Sequence, residues 1–141
     1  MTDEHATARG DFDVKMTPEA VDKGEGGITV SRLALDKTYH GDLEATGRGV
    51  MLSATTPVTG SAGYIALERV SGVLHGRRGS FVLQHTGTMT RGTPQLAIGI
   101  VPDSGTGDLT GIAGGCGITI ANGNHSYELQ YTLPATPPST T

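Results

Sequence analysis

Two side chains in the middle of the sequence have the chemistry to move protons. In YIALERV, residues 64–70, Glu68 alternates in phase with Tyr64, Ala66 and Val70, while Ile65, Leu67 and Arg69 hold the other face. Both faces are largely apolar, so a single carboxylate there is desolvated or sits at an interface. An inward Glu68 has its pKa raised by burial, which suits general acid/base work. An outward Glu68 is a rim residue or half of an ion pair. His85, in GSFVLQHTGTM at 79–89, runs in phase with Phe81, Leu83 and Met89. Across from a carboxylate it would complete a proton-transfer pair; otherwise it is a core histidine with its ring nitrogens satisfied. Gln84 takes the opposite face, so only one of the two lines a cavity. Glu68 and His85 are thus the candidate catalytic residues, and Tyr64, Glu68, His85 and Tyr131 the candidate ligand pocket. Tyr39, Tyr127 and Tyr131 carry hydroxyls that either enter a pocket or close the ends of a barrel. Met51 reads as ordinary packing.

Other chemistry is excluded or weak. SGTGDLTGIAGGCGITI, residues 104–120, is glycine-rich enough to suggest a phosphate loop. Such a loop needs a helix after the glycines, whose N-terminal N–H groups face the anion. CGITIANG follows instead, β-branched and strand-like, with no lysine in place. Cys116 shares a face with Ile118 and Ile120, which marks a buried, inert thiol without a local base. The five histidines, His5, His40, His75, His85 and His125, fall in no metal-ligand spacing; no metal or cofactor is expected. DSGTGD at 103–108 lacks the later glutamate of a calcium loop and reads as a turn. Asn124-His125-Ser126 matches a glycosylation acceptor, which matters only in a secreted chain.

These residues need elements to hold them. Period-two alternation is clearest in SYELQYTL, 126–133, with Tyr127, Leu129, Tyr131 and Leu133 on one face. Strands are also expected over 8–17, 28–39, 43–55, 63–74, 79–89, 95–101 and 116–122. In TPEAVDKGEGG, Thr17 can cap and Pro18 suits a first helical position, which predicts one short helical turn near 18–23. Residues 1–8 and the Pro/Thr-rich 134–141 are expected to be disordered around a domain spanning 9–133. Glycine, at 22 residues, recurs in Gly41-Asp42-Leu43, Gly72-Val73-Leu74 and Gly107-Asp108-Leu109. These read as repeated hairpin corners, where glycine supplies positive φ. The sum is all-β: about eight antiparallel strands, closed into a single barrel to remove their edges, with a two-sheet sandwich as the alternative.

A chain of 141 residues is one domain. Net charge is −4, without a basic stripe, which argues against nucleic acid. No apolar run approaches a membrane span or a secretory signal, so a cytoplasmic location is expected. Apolar residues on both faces of 63–74 favour a homo-oligomer.

Residues 64–87, YIALERVSGVLHGRRGSFVLQHTG, together with 101–115, VPDSGTGDLTGIAGG, resemble a bacterial family catalogued as domain of unknown function 3224. KTYHGDLEATGRG, 37–49, is similar to its earlier strand pair, and the likeness runs from about 8 to 133. The resemblance implies the eight-stranded barrel of plant allene oxide cyclase, with an internal cavity and often an oligomer; 71–84 is similar to a strand–corner–strand segment of the cyclases themselves. It implies no established activity. The cyclases carry a cavity-facing acid near the first strand, and neither Asp11 nor Asp13 matches it here. The leading expectation is therefore a barrel that binds a small apolar or amphipathic molecule. An isomerase or cyclase using Glu68, with or without His85, is the enzymatic alternative. A filled, purely structural barrel in an oligomer is the third. A filled barrel has no void, a binder has an apolar one, and an enzyme has titratable groups converging on its void.

Overall fold

The computed structural model describes residues 4–135. Nine strands follow in order: β1 Glu4–Lys23, β2 Thr29–Gly41, β3 Leu43–Thr55, β4 Ala62–Leu74, β5 Arg77–Thr90, β6 Thr93–Ile100, β7 Thr106–Gly107, β8 Ala113–Ala121 and β9 Asn124–Leu133. In space they run β4-β3-β2-β1-β9-β8-β6-β5, and β4 pairs again with β5. Eight strands thereby close into an antiparallel barrel, each beside its neighbours in sequence and β1 against β9. The two-residue β7 continues the track of β6 along the start of β5, through Gly79↔Gly107 and Ser80↔Thr106.

Several turns are two residues long with positive φ at both positions: His75-Gly76, Arg91-Gly92 and Asn122-Gly123. That geometry matches the right-handed twist of the flanking strands, and it joins β4 to β5, β5 to β6 and β8 to β9. Gly41-Asp42-Leu43 is a corner, between β2 and β3, and Gly107-Asp108-Leu109 leaves β7 in a turn. Gly72 is not a corner: it lies inside β4, paired with Ala45 and Gly79. The chain reverses three residues later.

The helical turn expected near 18–23 is absent. Those residues continue β1, and a lone 3-10 turn falls later, at Glu25–Gly27. The register between β1 and β2 shifts between Pro18 and Ala20. β9 pairs only with Glu4–Phe12, so beyond Phe12 β1 has β2 on one side. Proline is tolerated at a bulge on such a one-sided strand. The same β9 pairing orders residues 4–8, expected to be irregular: Glu4 lies opposite Leu133. Residues 1–3 and most of the expected tail, 136–141, lie outside the described residues.

The barrel is filled at one end. Ala8, Leu43, Val70, Leu74, Phe81, Leu109, Ile112, Tyr127, Leu129, Tyr131 and Leu133 pack there as one buried core. The Tyr127 hydroxyl ties this end to the β2–β3 corner: it accepts from the Leu43 N–H at 2.9 Å and donates to the His40 carbonyl at 3.0 Å. At the other end the inward positions are Met16, Met89, Leu96 and Ile120, all exposed. They ring an opening rather than meeting across it.

Candidate functional site

Glu68 sits midway along β4, and its phase with Val70 and Leu74 sends it inward. It is wholly buried. Its carboxylate accepts three hydrogen bonds: from Lys37 Nζ to Oε1 at 3.0 Å, from His85 Nε2 to Oε1 at 2.9 Å and from the Tyr39 hydroxyl to Oε2 at 2.5 Å. Lys37 and Tyr39 are alternate residues of β2, both buried. His85 comes from β5, where it lies opposite Ala66 and Ile98. Three strands thus converge on one carboxylate.

Space for that carboxylate comes from Gly47 on β3, opposite Lys37 and Val70. A Cβ at Gly47 would land on Glu68 Oε2 and the Tyr39 ring. The Lys37 ammonium also stands 5.0 Å from the centroid of the Phe12 ring, within cation–π range.

Burial pushes the Glu68 pKa up, as its position in β4 implies, but its surroundings reverse the shift. The His85 hydrogen bond, the Lys37 charge and the Tyr39 and Lys37 hydrogen bonds bring it below the ordinary value. Glu68 is therefore an anion in the folded protein at neutral pH, not a buried acid holding a proton. Tyr39 responds in the opposite sense: burial, then the neighbouring Glu68 charge and hydrogen bond, hold its hydroxyl strongly in the protonated form. Burial likewise raises the thiol of the half-buried Cys116 to about 11.

Above this cluster lies a cavity of about 460 Å³ that opens at the unfilled end. Its walls include Val14, Leu35, Met51, Leu96, Ile118 and Ile120, with Phe12, Lys37 and His85 toward its base. Tyr64 lines it as well; its ring lies over Gly87, where a Cβ would strike it. Burial, then the Glu68 charge, raise the Tyr64 pKa.

His85 faces two ways. Its Nε2 donates to the carboxylate. Its ring lines the cavity, and Nδ1 has no hydrogen-bond partner among the described residues. In the neutral ring that nitrogen is a bare acceptor. Lys37 has one N–H on Glu68 and others to spare. With a neutral His85 ring the floor thus offers the cavity one acceptor and a cationic donor.

Tyr64, Glu68 and His85 are brought together. Glu68 lies behind Lys37 and His85 rather than on the cavity wall. Tyr131 lies at the filled end, bonded to His75 Nδ1 at 2.5 Å. Gln84 is exposed on the outer face, and so are Asp11 and Asp13.

A family model described as "Protein of unknown function (DUF3224)" matches residues 8–131. The chain belongs to this family. A DUF3224 protein of unknown function from Shewanella oneidensis MR-1, with a crystal structure at 1.84 Å resolution, is 53% identical. The match covers 91% of this chain and 97% of that one, with a TM-score of 0.86. Among curated proteins nothing matches. This DUF3224 barrel therefore has a solved relative of the same fold, and its site has to be read from its own side chains.

Lys37 escaped the sequence reading, although its signal was present: it falls in phase with Leu35 and Tyr39 on an otherwise apolar face. Among the described residues no group of three or more His, Cys, Asp or Glu side chains could hold a metal ion. No helix among them is long and apolar enough to cross a membrane.

Proposed function

We propose that this barrel binds one small apolar or amphipathic molecule, with its polar end on Lys37 and His85 and its apolar body among the walls of β1, β2, β3, β6 and β8. The carrying observation is the cavity itself. About 460 Å³ falls within the range of small-molecule sites, which are mostly apolar with a few placed polar groups. The void counts against a barrel that is merely filled, since side chains close only one end. The resemblance of 71–84 to the allene oxide cyclases supports the same reading, because those barrels also enclose a cavity.

The test is native mass spectrometry of protein purified from its own host, beside titration with the neutral fluorophore N-phenyl-1-naphthylamine. A retained small molecule, or saturable one-to-one fluorescence enhancement that decanol reverses, supports the reading. The absence of both a retained mass and saturable binding refutes it.

The enzymatic alternative placed the chemistry on Glu68, with or without His85. The Glu68 carboxylate is covered by three donors and already charged, which suits an anchor rather than a group that meets a substrate.

A further inference from the structure

We propose that the cavity floor catalyses proton transfer at the carbon beside a carbonyl group, with His85 Nδ1 as the base and Lys37 Nζ as the stabiliser of the developing oxyanion. The substrate class is an apolar ketone or aldehyde with an acidic C–H next to the carbonyl. This rests on the ligand-binding reading and deepens it.

Three observations carry the assignment. Lys37 Nζ and His85 Nε2 lie 3.0 and 2.9 Å from the same oxygen, Glu68 Oε1, so one anchor fixes both groups side by side. Glu68 engages the ring at Nε2, which leaves Nδ1 as the nitrogen available to the cavity, and in the neutral ring that nitrogen is the acceptor a base requires. The walls around the pair are apolar, and a cation works harder on a developing negative charge where water is thin. A simple binding floor has no need for a base and an electrophile on a common anchor.

The step balances without a co-reactant. The C–H bond beside the carbonyl breaks, and its proton goes to Nδ1. The electron pair forms a carbon–carbon double bond as the carbonyl π pair moves onto oxygen, where Lys37 donates to it. Return of the proton to the same carbon restores or epimerises the substrate. In an unsaturated substrate, return at the far end of the conjugated system shifts the double bond. Glu68 is a positioning residue in this scheme: it orients both partners and touches neither reacting atom.

Decan-2-one in D₂O is the probe. Exchange of its protons beside the carbonyl is followed by ¹H NMR, and its binding by saturation transfer in the same samples. The wild-type protein should accelerate exchange over buffer by about 10²-fold or more, the range of positioned general bases. His85→Gln, which keeps a donor for Glu68, should lose nearly all of that acceleration even with the ketone at saturating concentration. Lys37→Arg should keep part of it. Binding with exchange at the buffer rate overturns the catalytic proposal and leaves the ligand-binding reading standing. Exchange undiminished in His85→Gln overturns it too, as does cyanoborohydride trapping of the ketone on Lys37, which would make the lysine a covalent catalyst. Absence of decan-2-one binding overturns the catalytic proposal for this substrate class, and the ligand-binding reading then stands or falls with the fluorophore titration.

Discussion

Glu68 is the residue on which the others depend. A buried carboxylate without partners would shed its charge; here two cationic or ring N–H donors and a phenol hold it ionised. Glu68→Gln removes the charge that balances Lys37 inside the barrel. Breaking a buried pair by removing one partner costs about 3–5 kcal/mol. A urea titration at pH 7 should show a loss of that order. The pH dependence follows from the direction of the shift. The folded-state pKa of Glu68 lies below its ordinary value, so its contribution is present above that ordinary value and lost as pH falls through the folded one. The gap between wild type and Glu68→Gln should be widest near neutrality and narrow below about pH 4.5. A gap of constant size from pH 7 to pH 3.5 would mean that folding leaves the Glu68 pKa unshifted, and a gap that widens on acidification would mean that the folded carboxyl holds its proton. Cys116 offers an independent check on burial. With its pKa raised to about 11, the thiol should react with iodoacetamide at pH 8 about 100-fold more slowly in the native than in the unfolded protein. Equal rates would show that the thiol is not shielded.

At the scale of elements, alternation revealed the strands and which residues share a face, while the choice of inward face stayed open. β3 runs over 43–55 as its pattern predicts, and closure of the barrel puts the faces that carry Glu68 and His85 inside. Local pattern failed where a distant strand decided the outcome. Thr17-Pro18 has the chemistry of a helix start, but β2 pairs with 18–23 and the proline is absorbed at a bulge. Residues 4–8 look featureless and are ordered because β9, more than 100 residues on, lies beside them. Convergence on Glu68 was invisible for the same reason: Lys37 and Tyr39 meet it only through β3, by way of Gly47. That glycine is the part of β3 that matters most to the site. Gly47→Ala would drive a methyl group into the carboxylate and the Tyr39 ring, both locked by their hydrogen bonds. Overpacking of this kind costs about 1–3 kcal/mol. Thermal denaturation should show that loss, and the variant should also weaken binding of N-phenyl-1-naphthylamine as the floor shifts. An unchanged melting temperature would mean that the carboxylate has room to move.

The whole molecule is a closed meander with unlike ends. Eight strands enclose an interior just wide enough for side chains to fill, or for one small ligand, and this barrel is filled at one end and holds a cavity at the other. At the filled end, Tyr127, Tyr131, Phe81 and the leucines meet across the axis. At the open end the inward residues stay exposed, because the cavity separates them. An opening of this kind can be closed without touching the floor. Ala62 begins β4 opposite Thr55 and Met89, lines the mouth and is exposed. Ala62→Phe places an aromatic ring across the entrance, where there is space rather than packed core, so the overpacking penalty of a filled interior does not apply. Its melting temperature should stay within a few degrees of wild type, while affinity for N-phenyl-1-naphthylamine falls at least about tenfold, the equivalent of 1.4 kcal/mol. Because Lys37, Glu68 and His85 are unchanged in this variant, lost affinity with retained stability would trace binding to the cavity rather than to the outer face of the barrel. Affinity equal to wild type would place the ligand elsewhere on the molecule.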